Sequence, residues 1–424
     1  MSTIFFLIIF AFVVAIALLV LKADAARNIL VKIAAAVIAA GSIWLAVGFF
    51  RTGDDAVTFA ISEGTASLIG TAMLAVEVVL ALVVIFLGIK HKKYLASVLA
   101  AIQAPCTVAF ELTKGHHIEV AENLYIDRLS VIMILIVGIV GSLICVYALG
   151  YMKDFQHHHA GEADRRPLFF FLMFVFLSAM FGLVVSNNLL WMFFFWEITT
   201  LCSFFLIGYT RTEEAVRNSF RQLILNLIGG LAFLFGIITL GTFYGTLELT
   251  TLIAYGVSGF GTFVVIPTIF LALAGLTKAA QMPFHSWLLG AMVAPTPTSA
   301  LLHSSTMVKA GVFLILKLAP VLGFNMAGIM VMLVGGITFL LASFAAISQS
   351  NAKRVLAYST IANLGLIVTC GGIGAVGAVW AGIMLLIFHA ITKSLLFLCV
   401  GTAEHQIGSR DIEDMDGLFG RLPR

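Results

Sequence analysis

Charged side chains are scarce in this sequence. They make up 11% of its 424 residues, against roughly 25% in a soluble domain, too few to clothe a chain of this length in water. A soluble globular protein is therefore excluded. Cysteine is also scarce. Cys106, Cys145, Cys202, Cys370 and Cys399 are scattered through apolar segments without a C-x-x-C pair, so this spacing builds neither an iron–sulfur ligand set nor a zinc site. No cofactor and no nucleic-acid partner are expected. The first twenty residues lack a basic leader and a small-residue cleavage site, and they read as a retained membrane span, not a signal peptide. The sequence has no linker, no low-complexity stretch and no segment suited to a soluble domain.

What is present is apolar. Hydrophobic residues make up 61% of the chain, with 36 Phe and 38 Gly, a combination that suits lipid-facing bulk and close helix packing. A membrane-spanning helix needs about 20 apolar residues. Such runs fall near 2–21, 31–50, 68–89, 94–110, 129–152, 168–186, 188–208, 219–245, 258–291, 299–319, 326–347, 355–373 and 375–401. The run at 258–291 is too long for one simple crossing and contains Pro283, so it reads as a broken helix. The expected fold is all-α, a polytopic membrane protein of about thirteen transmembrane helices.

Loop charge orients this stack, because basic residues collect on the cytoplasmic side. Alternate connections carry Lys22, Arg27 and Lys32; Lys90, Lys92 and Lys93; Lys153, Arg165 and Arg166; Arg211, Arg217 and Arg221; Lys353 and Arg354; and Arg410, Arg421 and Arg424. The opposite side carries only Arg51, Lys114 and Arg128. The bias places the N-terminus outside and the C-terminus in the cytoplasm of a cell-membrane protein. The tail 408–424 reads as an amphipathic cytoplasmic connector to a further span, which implies a truncated chain.

Ionisable residues inside spans are few and need a reason, since a charge at the bilayer centre costs about 2.5–3.5 kcal/mol even on the lenient insertion scale. Lys317, near the outer end of its helix, can snorkel. Glu77 is mid-span without an obvious partner, and a neutral packing role is preferred there. Glu197 lies in the middle of WMFFFWEITTLCSFFLIGY and must find a cation or a proton. Lys278 precedes Pro283 by five residues in GLTKAAQMPFHSWL. Proline removes a backbone hydrogen bond and clashes with the carbonyl of Ala279, so the helix should break directly after the lysine. Broken helices at membrane depth line cavities or lie buried in protein, and in transporters they mark the ion path. His285 follows the break. Lys309 is mid-span with His303 nearer the inner end of the same helix, and His389 and Lys393 share a helix face four residues apart. A lone membrane histidine is usually a packing residue. Three lysines and three histidines in neighbouring spans fit a relay of protonatable groups better.

Six stretches resemble the antiporter-like subunits of respiratory complex I, of Mrp-type sodium/proton antiporters and of energy-converting membrane hydrogenases. They are YIDRLSVIM (125–133), NNLLWMFFFWEITTLCSFFLIGY (187–209), LTKAAQMPFHSWLLGAMVAPTPTSALLHSSTMVKAGVFL (276–314), AKRVLAYSTIANLG (352–365), FHAITKSLLFLCVG (388–401) and GSRDIEDMDGL (408–418). The resemblance implies that Glu197 is the family carboxylate, Lys278 its broken-helix partner, His303 and Lys309 connecting groups, and His389 and Lys393 the central relay. Two departures stand out. Complex I relatives often carry a charge on the helix after the carboxylate, where this chain reads LILNLIGG with only Asn226. The family's second broken helix and its exit residue would lie beyond Arg424.

Residues 1–112 hold two more helices than the family core needs before the antiporter-like domain at 113–407. Together with LILNLIGGLAF, they point to the hydrogenase and formate-hydrogenlyase branch. The expected function is proton translocation, or sodium-coupled translocation, by a non-redox membrane subunit of an energy-converting hydrogenase or related complex. Its implied partners are other membrane subunits and a peripheral redox arm. The alternatives are a subunit of NADH–quinone oxidoreductase or of an Mrp antiporter, and, in another class, a structural scaffold with fixed ion pairs. Single cysteines at positions 92 and 353 should be blocked from outside labelling by an impermeant maleimide on intact cells. Labelling of either would reverse the orientation.

Overall fold

The computed structural model describes residues 2–158, 163–259, 264–323 and 325–421. Among them, twelve helices are long and apolar enough to cross a membrane. The thirteenth expected crossing is the broken one, and its longer half is a helix of 14 residues.

The chain opens with α1 (Ser2–Val20), α2 (Asp24–Thr52) and a short strand β1 (Ala56–Phe59), then α3 (Glu63–Lys90) and α4 (Tyr94–Thr113). Strand β2 (Leu124–Asp127) leads into α5 (Arg128–Leu135), which continues through a π-helical stretch at Ile136–Gly141 into α6 (Ser142–His158). Next come α7 (Arg166–Val185), α8 (Leu189–Ile207), α9 (Glu213–Tyr244) and a short α10 (Leu249–Val257). The broken crossing is α11 (Val265–Lys278) with α12 (Ser286–Gly290). A second span, expected as continuous, is also interrupted, into α13 (Thr296–Ser304) and α14 (Met307–Leu322). The bundle closes with α15 (Met326–Ile347), α16 (Ala352–Ile373), α17 (Val376–Ile407) and α18 (Leu418–Arg421).

Short polar loop residues start many of these helices by capping free backbone N–H groups. Asp127 accepts from Ser130 N at 2.8 Å, Asn188 from Leu190 N at 3.0 Å, Thr212 from Ala215 N at 3.2 Å and Asn351 from Arg354 N at 3.1 Å. Gly408, at φ 78°, ends α17 in the left-handed conformation that glycine tolerates.

β1 and β2 pair antiparallel, with Ala56 opposite Asp127 and Phe59 opposite Leu124. The α3–α4 hairpin is therefore an excursion that leaves and returns at one point. The expected N-terminal unit 1–112 divides accordingly. Side chains of α1 and α2, including Leu7, Ala11, Val31 and Ile38, belong to the main apolar core. Val84, Ala96 and Ala100 of the hairpin form a separate cluster with Leu201, Phe204, Phe220 and Leu223 of α8 and α9. The centre of the bundle is α7 and the α13–α14 pair, nearly all buried, whereas α3, α15 and α17 present wide apolar faces outward.

Three charge clusters pin the ends. Asp24 holds Arg27 at 2.5 Å and Arg166 at 3.0 Å. Glu404 joins Lys353 at 2.9 Å and Arg410 at 2.5 Å, which folds the tail back so that Ile412 N reaches Ser350 O at 2.9 Å. Lys353 is thus fully buried, and the exposed neighbour Arg354 is the better labelling position on that loop. Lys317 does not snorkel. It is buried, paired with Asp127 at 2.7 Å and bonded to Ser130 Oγ at 3.1 Å, because the 124–130 segment lies across the end of α14.

Burial pushes the Asp127 carboxyl up, but the Lys317 ammonium and the Ser130 hydrogen bonds outweigh it and hold the group below the usual carboxylate range. A depressed folded value contributes stability that is present above the unfolded pKa of about 3.9 and is lost as pH falls through the folded one. Asp127→Asn should lower the melting temperature of the purified protein at neutral pH. The gap to wild type should close in acid. A gap that persists unchanged in acid would rule out the ion pair as its source.

Candidate functional site

Five helices bring the buried lysines and their neighbours together: α8, α11, α14, α16 and α17. α11 brings Lys278 there as its last residue. Beyond it the chain closes a Schellman turn, with Gln281 N bonded to Leu276 O at 2.9 Å and Ala280 N to Thr277 O at 3.1 Å. Ala280 takes the left-handed position at φ 53°, and Trp287 Nε1 caps the Thr277 carbonyl at 3.1 Å. The helix stops immediately after the lysine, and the negative end of its dipole favours a cation.

The Lys278 ammonium donates to Trp196 O at 2.6 Å and to Thr199 Oγ1 at 2.7 Å, and it sits 4.1 Å from the Trp196 ring centroid. These groups flank Glu197 on α8, but the carboxylate is not itself hydrogen-bonded to the lysine. Its Oε1 is buried without a protein partner and fills the space left by Gly230 of α9, beside the Gln103 amide of α4. Glu197 and Lys278 are therefore linked through one turn of α8.

The relay residues from α14 and α17 meet directly. Lys309 Nζ lies 2.9 Å from His389 Nδ1 and 3.1 Å from Leu386 O. Lys393, one turn further along α17, donates to Ser359 Oγ and to Leu356 O of α16. His303 packs against Phe397, its ring tilted by 49° with the centroids 4.6 Å apart, and neither ring nitrogen is bonded to protein. His389 Nε2, Thr298 Oγ1, Ser299 Oγ and Ser305 Oγ are likewise buried without a partner. Buried polar atoms are normally satisfied, so this group of orphans around the α13–α14 interruption marks a polar interior.

Three further residues flagged by the sequence lie apart from this chain of contacts. Asn226 bonds its own helix at Gln222 O, 2.9 Å away, and leaves Oδ1 free. His285 stands at the N-cap position of α12 within the break, half-buried, without a side-chain capping bond and with Nδ1 unpartnered. Glu77 is buried on α3 with Oε1 unpartnered, and it faces a small cavity that Gln103 and Glu197 also line.

The buried lysines sort by partner. Lys317 and Lys353 each hold a carboxylate. Lys278, Lys309 and Lys393 hold only carbonyls, hydroxyls and an imidazole, and among the described residues no carboxylate stands at ion-pairing distance from any of the three. A fixed ion pair explains the first two lysines and leaves the other three unexplained.

The family model described as NADH:quinone oxidoreductase/Mrp antiporter, transmembrane, matches residues 186–424, and that for the N-terminus of complex I chain 5 matches 113–160. The chain belongs to the NADH:quinone oxidoreductase/Mrp antiporter family. The antiporter subunit named mnhA2 of Staphylococcus aureus is 38% identical over 321 residues, which cover 71% of this chain and 39% of that protein. The chain thus spans about two fifths of the length of this relative. The structure of the Mrp complex from Dietzia sp. DQ12-45-1b matches with TM-score 0.63 and 30% identity, over 82% of this chain and 40% of that one. The archaeal membrane-bound sulfane sulfur reductase shares the fold, with TM-score 0.77 and 22% identity, over 100% of this chain and 75% of that one.

Within this family fold, the sequence pointed to the charged groups but not to what holds them. Thr199, the Trp196 carbonyl, Gln103 and Ser359 were missed. Only Thr199 carried a local signal, as a hydroxyl two residues beyond a buried acid. Two glycines set the spacing. A Cβ on Gly311 would come within 2.5 Å of Ala279 N, backbone that cannot yield, so α14 rests directly on the end of α11. A Cβ on Gly230 would meet the movable Glu197 carboxylate and Gln103 amide. Gly311→Ala should therefore destabilise the protein by about 1–3 kcal/mol, visible as a lowered melting temperature. Gly230→Ala should leave stability nearly unchanged while displacing Glu197. Equal melting temperatures for the two variants would contradict this.

Proposed function

We propose that this chain is a proton-translocating, or sodium-coupled, membrane subunit of a multi-subunit energy-converting complex, with its N-terminus outside the cytoplasmic membrane. The observation that carries the reading is the set of three buried lysines with only neutral partners, Lys278, Lys309 and Lys393, one of them hydrogen-bonded to His389. Each is an ammonium or an amine according to its neighbours. An anion at Glu197 stabilises the ammonium at Lys278. Neutralising or moving that anion releases the proton toward the α13–α14 interruption, where His303, Lys309 and His389 lie. Waters bridging Thr298, Ser299 and Ser305 would complete the line, since proton transfer needs hydrogen-bonded steps. From there Lys309 and His389 pass charge along α17 to Lys393.

The chain has no sequence basis for a redox centre, so electron transfer belongs to partner subunits. The partner complex we favour is a hydrogenase-like or related redox enzyme, with a peripheral arm that drives this subunit by conformational or electrostatic coupling. The likeness to mnhA2 and to the Dietzia Mrp complex favours a second reading, a subunit of an Mrp-type sodium/proton antiporter. Purifying the intact complex separates the two by whether a redox arm accompanies the chain.

The test is ion translocation by the intact complex in vesicles, set against its driving reaction. Glu197→Gln, Lys278→Ala, Lys309→Ala and Lys393→Ala should each assemble and lower the ion yield by at least about tenfold, a loss of roughly 1.4 kcal/mol in barrier terms. Wild-type yields in Lys309→Ala and Lys393→Ala would return these lysines to a structural role.

A further inference from the structure

The α3–α4 hairpin builds something that the relay does not use. Between it and the starts of α8 and α10 lies a cavity of about 610 Å³. Its mouth is at the Glu63 end of α3, opposite Lys90, on the side of the bundle with few basic residues. Glu63, Glu111, His116, Glu119 and Glu248 surround it, and Glu77 forms its floor. Glu77 and Phe194 then line a second cavity, of about 30 Å³, in which Gln103 and Glu197 are the other polar groups among aliphatic walls. The two spaces meet at a single carboxyl group.

We infer that the hairpin forms an access passage for a monovalent cation, a water-borne proton or Na+, joining the basic-poor side of the membrane to Glu197 by way of Glu77. The carboxylates at the mouth raise the local cation concentration, as acidic rings do in cation channels. A glutamate at mid-span is costly without a partner, yet Glu77 is about nine-tenths buried and its Oε1 has no hydrogen bond. Glu197 Oε1, at the far side of the second cavity, is in the same condition. Two carboxylates about one small space repel each other, and a single cation or proton between them is the occupant that removes this repulsion, leaving one negative charge on the pair. The Gln103 amide stands beside Glu197 at the same space. The hairpin is an excursion from the strand pair, so the passage is an addition to the relay and not a part of its scaffold.

This inference rests on the relay reading of Glu197, and the variants separate the two. Gly70 lines the outer cavity seven residues before Glu77, two turns up the same helix face, and an added Cβ there meets only Trp191 Nε1, at 3.9 Å. Gly70→Trp therefore fills the passage without disturbing Glu197. In vesicles of the intact complex, Gly70→Trp and Glu77→Gln should each cut ion translocation by at least about tenfold while the complex assembles normally. Wild-type yields in both, with Glu197→Gln and Lys278→Ala impaired, would overturn the passage and leave the relay standing. Wild-type yields in Glu197→Gln and Lys278→Ala would overturn the relay first. Carbodiimide labelling of Glu77, read by peptide mass spectrometry, names the cation: protection by Na+ marks sodium, and labelling that follows pH but ignores Na+ marks the proton.

Discussion

A lysine buried in a membrane bundle without a carboxylate is the constraint on which this structure turns. A charge at membrane depth costs kilocalories, and pairing it with an acid is the usual remedy. The chain applies that remedy twice, at Lys317 with Asp127 and at Lys353 with Glu404, in both cases at the ends of spans. At Lys278, Lys309 and Lys393 it withholds the remedy and supplies dipoles: a helix C-terminus, backbone carbonyls, hydroxyls and an imidazole. Dipoles stabilise a cation less completely than an anion does. The carbonyls that do so, of Trp196, Leu386 and Leu356, belong to the uninterrupted helices α8, α17 and α16.

Close helix contact makes this arrangement possible. Gly311 lets the backbone of α14 touch the end of α11, and Gly275 faces it across the same contact. The two helices that carry Lys278 and Lys309 are thereby held at a separation that no side chain can widen. Gly230 plays a different part, leaving room for the Glu197 carboxylate. The high glycine content of the chain is spent partly at these crossings, in keeping with membrane packing driven by contact and not by a hydrophobic difference.

The α3–α4 hairpin shows how a core can be extended without being disturbed. The β1–β2 pair seals the excursion, and the hairpin packs through its own apolar cluster. Glu77 changes meaning as a result. Read along the sequence it is a mid-span acid with no partner, and a neutral packing role suits it. In three dimensions it lines two cavities, the larger beside the start of α3 and the smaller shared with Glu197.

Much of the molecule was legible in the sequence. Apolar runs of about 20 residues fix an all-α membrane fold by length and hydropathy alone, because the bilayer demands internally satisfied backbones. Pro283 announced the break after Lys278, and the spacing of His389 and Lys393 announced a shared face. Such signals are local, carried by a residue and its near neighbours along the chain. The rest depends on approach between distant segments. The second break at Ser305 and Thr306 has no proline. Gln103 meets Glu197 only because α4 folds onto α9, and Lys317 finds Asp127 only because β2 crosses the end of α14. Which lysines have an acid beside them, and which have only dipoles, is a matter of tertiary distance, and no pattern along one helix encodes it.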